Sequence, residues 1–254
     1  GQLTSQSGIL LADIINIFLP RGWFPLITPG TKYVTLGGMV AADIHGKNHH
    51  KDGSFRNCVE WLDLMLSSGE IKRCSRSENK ELFNWTIGGM GLTGIIINVS
   101  IKLKSVSTKW IKQKTISTNN FDETIEKIEL SLKSTYSVAW IDCLATEKKL
   151  GRALIYTGEH ASPNDIPVRK RSELLTISKK MKFRFFFNLP SFLLNKHVIK
   201  IFNSIFYFFG KQKVFSIVEW DKFFYQLDSI GDWNNIYGSK GFAQFQCVIP
   251  LKYS

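Results

Sequence analysis

The sequence predicts an α+β protein in two parts: a glycine-rich portion over residues 1–105, and a second α+β portion over 106–254 organised on an antiparallel sheet. Three observations predict it. Apolar spacing switches several times between the 3.6-residue period of a helix and the two-residue period of a strand. Glycine-rich turns punctuate the first part. From about Ser105 the order becomes strand, helix, strand, strand, which closes most simply as an antiparallel sheet with a helix against it.

The elements follow in chain order. Gly8–Leu19 places apolar residues at helical spacing, Pro20 stops the helix and Gly22 opens a turn. Thr28–Gly53 is glycine-rich. Phe55–Leu66 mixes apolar and polar residues as a strand does, and Ser67-Ser68-Gly69-Glu70 reads as a hairpin turn. Leu82–Trp85 is a short helix. Gly88, Gly89, Gly91 and Gly94 lead into the β-branched strand Ile95–Leu103. In the second part, strands are predicted at Trp110–Ser117, Tyr136–Leu144 and Arg152–Gly158, with an amphipathic helix at Phe121–Lys133.

Composition narrows the class. The 254 residues are 44% hydrophobic and 21% charged, which supports a packed core and excludes global disorder. The net charge of +12 is uneven: 11 basic residues face 8 acidic ones up to Ser105, and 22 face 13 beyond it. Such a surface favours anionic partners, although an ordinary solvated basic surface explains it equally well. Cys58, Cys74, Cys143 and Cys247 show no CxxC or zinc spacing and read as buried free thiols of a reducing compartment. The opening at Gly1 and the end at Ser254, after a strand-like run, lead to the expectation of a chain incomplete at both ends.

The chemistry is concentrated in Thr28–His50, TPGTKYVTLGGMVAADIHGKNHH, where Gly30, Thr31, Thr35, Gly37 and Gly38 fall within nine positions. Glycine lets a backbone approach a ligand closely, successive N–H groups form an anion-binding concavity, and threonine hydroxyls add donors. A pyrophosphate suits such a loop; a tight-turn region between strands is the competing reading. The spacing matches neither a Walker loop nor GxGxxG. His49 and His50 lack a third ligand at metal spacing, so no metal is expected.

The run P-G-T-x-x-x-T-x-G-G-x-x-x-x-D-x-H-G-K-N-H-H resembles the flavin-binding segment of the vanillyl-alcohol-oxidase / p-cresol-methylhydroxylase superfamily. More narrowly, it resembles the decaprenylphosphoryl-β-D-ribose oxidase family. The similarity continues through Gly53-Ser54-Phe55, Glu81-Leu82-Phe83 and Gly88–Ile96, then Ser137–Asp142, Lys149–Arg152, Trp233-Asn234 with Tyr237-Gly238, and Gln244–Pro250. The resemblance implies part of an FAD-binding domain over 1–105 and a substrate-binding domain over 106–254, with FAD held non-covalently. It implies that Gly30, Thr31, Thr35, Gly37 and Gly38 lie against the pyrophosphate. Ala42, Ile44, His45 and Gly46 would line the flavin, and Ile97 would touch the cofactor through its backbone. Lys47 would stand beside the reacting centre, with Gln244 and Gln246 projecting toward the ring. A solvated lysine and exposed alternate strand residues are the competing readings for these three. Two features of the family are not found here: the strand and Arg/Gly turn preceding this segment, and the C-terminal part with its lysine base.

The implied activity is oxidation of a sugar secondary hydroxyl, the 2′-OH of polyprenyl-phosphoryl-β-D-ribose. A separate NAD(P)H-dependent keto-reductase would complete epimerisation toward a cell-wall arabinan precursor. The other readings are an aldonolactone or alditol oxidase, and a truncated, non-catalytic protein that binds lipid phosphate or membrane. Residues 181–213 are dense in aromatics and flanked by lysines. Pro190, Asn195, Lys196 and His197 interrupt the stretch, so it is not expected to span a bilayer. It reads as a peripheral membrane contact or as a packing element; nucleic acid is not an expected partner, since no recognised module is present. The expected location is the cytoplasm or the periphery of the inner membrane.

Overall fold

The structure, a computed structural model, describes residues 1–177, 183–184, 188, 195–238, 241–243 and 250. Two antiparallel sheets organise it. The first contains β1 (Gln2–Gln6), β2 (Trp23–Pro25), β3 (Val59–Met65), β4 (Ile71–Ser75) and β5 (Ile95–Ser105), in the order β1-β5-β3-β4 with β2 also on β5. The second contains β6 (Trp110–Thr118), β7 (Tyr136–Ile141), β8 (Ala153–His160) and β10 (Phe215–Glu219), in the order β10-β6-β8-β7. A two-residue strand β9 (Phe183–Arg184) pairs in parallel with β11 (Ile230–Gly231). All strands of the first sheet come from residues before Val106, and those of the second from Trp110 onward.

The helices follow local chemistry. In α1 (Leu11–Phe18), Leu11, Ile14 and Ile15 share the buried face; Pro20 sits in the following 3-10 turn and Gly22 turns the chain at φ +81°. Short helices α2 (Leu36–Ala41) and α4 (Lys80–Thr86) lie against β5 and β4 of the first sheet, and α3 (His49–Asp52) precedes β3 in the chain. In α5 (Phe121–Ser131) the Asn120 side chain accepts the Glu123 N–H at 2.9 Å, and the Glu123 carboxylate accepts the Asn119 N–H at 2.8 Å. Helix α6 (Lys196–Gly210) lies beside β8, and α7 (Trp220–Phe224) follows β10. Among the described residues no helix is long and apolar enough to cross a membrane.

One prediction needs correcting. Phe55–Leu66 is not strand throughout: Phe55–Asn57 form a 3-10 turn closed by the Cys58 N–H on the Phe55 carbonyl, and β3 starts at Val59. Burying Phe55 after the turn at Gly53, where φ is +73°, requires that bend. The hairpin turn after β3 is present, with Gly69 at φ +85°.

Both sheets share one apolar core. Phe24 of β2 lies 5.4 Å from the His160 ring of β8 and 5.4 Å from Phe224 of α7. Tyr136 of β7 meets Phe224 edge to face at 4.9 Å. Lys47, from the Thr28–His50 segment, reaches this aromatic junction at the Phe223 and Phe224 carbonyls.

Candidate cofactor-binding site

The Thr28–His50 segment folds as loop, α2 and loop across the first sheet. Lys32, Leu36, Met39 and Val40 are buried, whereas Gly30, Thr35, Gly38, Ala42 and His45 are exposed. The alternation anchors the segment on its apolar residues and leaves one face of small and hydroxyl side chains clear. Thr31, Gly37, Ile44 and Gly46 lie partly exposed along the same stretch.

The backbone donors are disposed differently from a simple anion loop. Gly37 donates its N–H to the Ser7 carbonyl at 2.8 Å, and Gly38 donates to Thr35 Oγ1 at 3.1 Å. Neither N–H is therefore open toward a phosphate. The Thr35 hydroxyl, an acceptor toward Gly38, keeps its proton for an outside acceptor. Gly30 has open space where a Cβ would stand. Gly37 and Gly46 are closely packed instead, a Cβ there standing 2.8 Å from Ser7 and 2.3 Å from the Thr28 carbonyl, so the Thr35 hydroxyl is the group of this stretch that suits a pyrophosphate oxygen.

The corner at Thr31 is already bound from within the chain. Asp228, itself buried, accepts the Thr31 hydroxyl and the Lys32 N–H, each at 2.8 Å. The Lys32 ammonium pairs with Asp221 and lies over the Trp220 ring at 4.9 Å. No motif singles out Asp221 or Asp228 in the sequence; the nearest signal is an isolated acid within the aromatic run FFYQLDS.

Ile97 reaches the same region through a β-bulge. On β3, Asp63 faces Asn98 and Leu64 faces Ile96, so Ile97 is extra in the ladder, and its carbonyl accepts the Ser7 N–H at 2.9 Å. Ser7 thereby bridges Ile97 and Gly37. His45 and His49 meet edge to face at 5.4 Å. Gln244 and Gln246 lie outside the described residues.

Lys47 stands at the end of the strip. Its ammonium donates to the Phe223 carbonyl and to the Phe224 carbonyl at 3.3 Å, while its own carbonyl accepts the Ser137 N–H of β7 at 2.8 Å. Burial lowers its pKa to about 8. Lys104 of β5, 4.4 Å over the Tyr136 ring, is also lowered to about 8 by burial, against the opposing pull of Asp52 and Glu159. His160 takes or gives a hydrogen bond with the Tyr136 hydroxyl at 3.2 Å, and its buried Nδ1 has no partner among the described residues. Burial, and secondly the charge of Lys104, lower its pKa to about 3. Sequence reasoning did not find Lys104 or His160, because only tertiary packing brings β5 and β8 together.

All three groups are harder to protonate in the folded protein than in the unfolded chain. The unfolded state therefore binds more protons in each window, and stability rises with pH. A melting-temperature series is expected to climb from about pH 3 to 6.5 through His160, and again from about 8 to 10.5 through Lys47 and Lys104. His160→Gln should flatten the acid limb and leave the alkaline one. An acid limb unchanged in that variant would remove His160 as its source.

Comparison with known proteins bears on the class of the chain. Residues 1–75 match the family described as FAD binding domain. Residues 1–75 are thus similar to FAD-binding-domain sequence, within an α+β fold, and FAD is the cofactor of that class. Over 251 residues the chain is 34% identical to decaprenylphosphoryl-beta-D-ribose oxidase of Mycolicibacterium smegmatis, which covers 97% of this chain and 54% of that protein. The resemblance read from the motifs therefore runs along nearly the whole chain. An uncharacterized protein of Streptomyces coelicolor is 33% identical over 162 residues, 63% of this chain and 44% of its own length. Cytokinin dehydrogenase 5 of Arabidopsis thaliana is 34% identical over 108 residues, 41% of this chain and 20% of its own. The chain spans about half the length of the first of these relatives.

Proposed function

We propose that this chain is the flavin-holding and substrate-facing part of an FAD-dependent oxidoreductase that oxidises a sugar secondary hydroxyl. The substrate we favour is polyprenyl-phosphoryl-β-D-ribose, oxidised at the 2′-OH to the 2′-keto form. The observation that carries this reading is the open strip of small and hydroxyl residues from Gly30 to Gly46, which ends at the half-buried Lys47. Similarity over nearly the whole chain to an oxidase of that substrate supports it.

In this reading bound FAD supplies a two-electron acceptor for the carbinol hydride, and the protein supplies position and electrostatics. Gly30, Thr31, Thr35, Gly37 and Gly38 border the pyrophosphate; Thr31 is oriented by Asp228, and Thr35 offers its hydroxyl proton. Ala42, Ile44, His45 and Gly46 border the ring system, which is held non-covalently, and the Ile97 backbone supports the strip through Ser7. Lys47 holds a proton at Nζ beside the reacting edge, where two carbonyls orient it. Gln244 and Gln246 orient sugar hydroxyls. We place the boundary between the cofactor and substrate portions near residue 105. A separate NAD(P)H-dependent reductase would consume the ketone, and residues 181–213 would bring the protein to the periphery of the inner membrane. The alternatives are an aldonolactone or alditol oxidase and a non-catalytic lipid-phosphate binder.

The test is the visible spectrum of the full-length protein after incubation with FAD and desalting, followed by anaerobic addition of substrate. Retained flavin bands that bleach with polyprenyl-phosphoryl ribose are expected. Bleaching only with an aldonolactone or alditol would move the assignment to that class, and no retained flavin would overturn the reading. Lys47→Met should keep the flavin bands and slow bleaching about tenfold or more, as for loss of one oriented polar group at a reacting centre.

A further inference from the structure

Helix α6 is amphipathic in the inverted sense. Its polar residues face the protein: Asn203 donates to Asp142 at 2.7 Å, and the Tyr207 hydroxyl donates to the Thr118 carbonyl at 2.9 Å. Ser204 accepts from Arg152 at 3.2 Å, and Arg152 in turn pairs with Asp142 at 2.7 Å. Gly210 lets the helix end approach β8, since a Cβ there would stand 2.3 Å from Leu154. The helix is thus held by hydrogen bonds, and Val198, Ile201, Phe202, Ile205, Phe208 and Phe209 are exposed. A water-soluble surface helix places its apolar stripe inward, so this contiguous outward face calls for a partner.

The charge around the face says which partner. The helix has no acidic residue; Lys196 and Lys200 lie in its first half, with Lys211 and Lys213 just beyond its end. Beside it, a cleft of about 400 Å³ is lined by Thr146, Lys148, Lys149, Lys200 and Ser204, together with Glu147 and the Asp142–Arg152 pair. Among the described residues none of these three lysines has an ion-pair partner. Lys196 and Lys200 lie on the Asn203–Ser204–Tyr207 side of the helix, behind the apolar face, which is where lysines meet headgroups while phenylalanines and aliphatics enter the acyl layer; a protein groove over the apolar face would leave the cleft lysines unpaired. We propose that α6 lies in the surface of an anionic bilayer, and that the Lys148–Lys149–Lys200 cleft takes a phospholipid phosphate. The proposal narrows the membrane contact suggested above for residues 181–213 to one helix and one cleft, and rests on that contact but not on the flavin chemistry.

The experiment is co-sedimentation of full-length protein with vesicles of phosphatidylcholine alone and of phosphatidylcholine with phosphatidylglycerol, read without FAD or substrate. Binding to the anionic vesicles is expected, weakening as salt screens the lysines. The double variant Ile201→Glu/Phe209→Glu should abolish it. The triple variant Lys148→Ala/Lys149→Ala/Lys200→Ala should reduce the preference for anionic vesicles by a hundredfold or so, at about fivefold per lysine. All five side chains point to solvent, and circular dichroism together with unchanged flavin retention separates lost binding from lost folding. Failure to sediment with anionic vesicles, or binding indifferent to both variants, would overturn the proposal. So would a self-associated state that the Ile201/Phe209 variant dissolves without any vesicle binding, since a second copy would then cover the face. Failure of substrate to bleach the flavin would leave the vesicle result standing.

Discussion

Replacing Phe224 by alanine is expected to cost about 3–5 kcal/mol, the range for truncating a buried phenylalanine. In a protein of this size that lowers the melting temperature by roughly 10 °C. Phe224 is 2% exposed and meets Tyr136 at 4.9 Å, Phe223 at 5.0 Å and Phe24 at 5.4 Å. These neighbours come from β2, β7 and α7, so the cavity would open where both sheets meet and could not close by moving one element. A second readout follows from Lys47, which binds the Phe224 carbonyl and whose pKa is lowered by burial. Water entering the cavity would move that pKa back toward 10.5 and shrink the alkaline rise in stability. Phe208→Ala, on the exposed face of α6, should change stability by less than about 0.5 kcal/mol. A Phe224→Ala cost below about 1 kcal/mol, measured by denaturant unfolding, would refute the view that this junction holds the two sheets together.

Removing the carboxylate of Asp228 should be nearly as damaging. Alanine there strands the Thr31 hydroxyl and the Lys32 N–H, two donors that now bond to a buried carboxylate 196 and 197 residues away in sequence. Each bond to a charged acceptor contributes about 1.5–3 kcal/mol, and an unsatisfied buried donor costs a similar amount. A loss of about 2–4 kcal/mol is expected. Asp228→Asn keeps an acceptor for one donor and should recover about half of it. Asp228→Ala should also weaken flavin retention, because the Gly30–Tyr33 loop would be tied to the 221–228 segment only through the Lys32 side chain on Asp221, while Thr35 and Gly38 stayed in place. Normal stability with normal flavin retention in Asp228→Ala would show that the loop is held by its own turn chemistry.

The contrast between these two sites explains what could be read in the chain beforehand. The helix at α1, the strand β5, the hairpin turn at Gly69 and the helix α5 were legible because each depends on spacing, a cap or a turn residue within a dozen positions. The Phe55–Leu66 prediction placed the strand start too early, because the bend that buries Phe55 answers to core packing rather than to alternation. The glycine–threonine strip was legible as composition, whereas its link to Ile97 through Ser7 was not. The donor pattern was not legible: whether the Gly37 and Gly38 amides face a ligand or the protein depends on where Ser7 and Thr35 lie.

The sequence by itself determined the α+β class, the spacing of the amphipathic elements, the glycine-rich composition of the Gly30–Gly46 stretch and the kinship with FAD-binding proteins, since all are written in local order and residue identity. Only the tertiary structure decided that Asp228 closes the Thr31 corner, that Lys47, Lys104 and His160 share one aromatic junction, and that α6 turns its apolar face outward. Those features join residues tens to nearly two hundred positions apart, and burial, which sets both their hydrogen bonding and their proton affinity, is a property of the packed chain rather than of any segment.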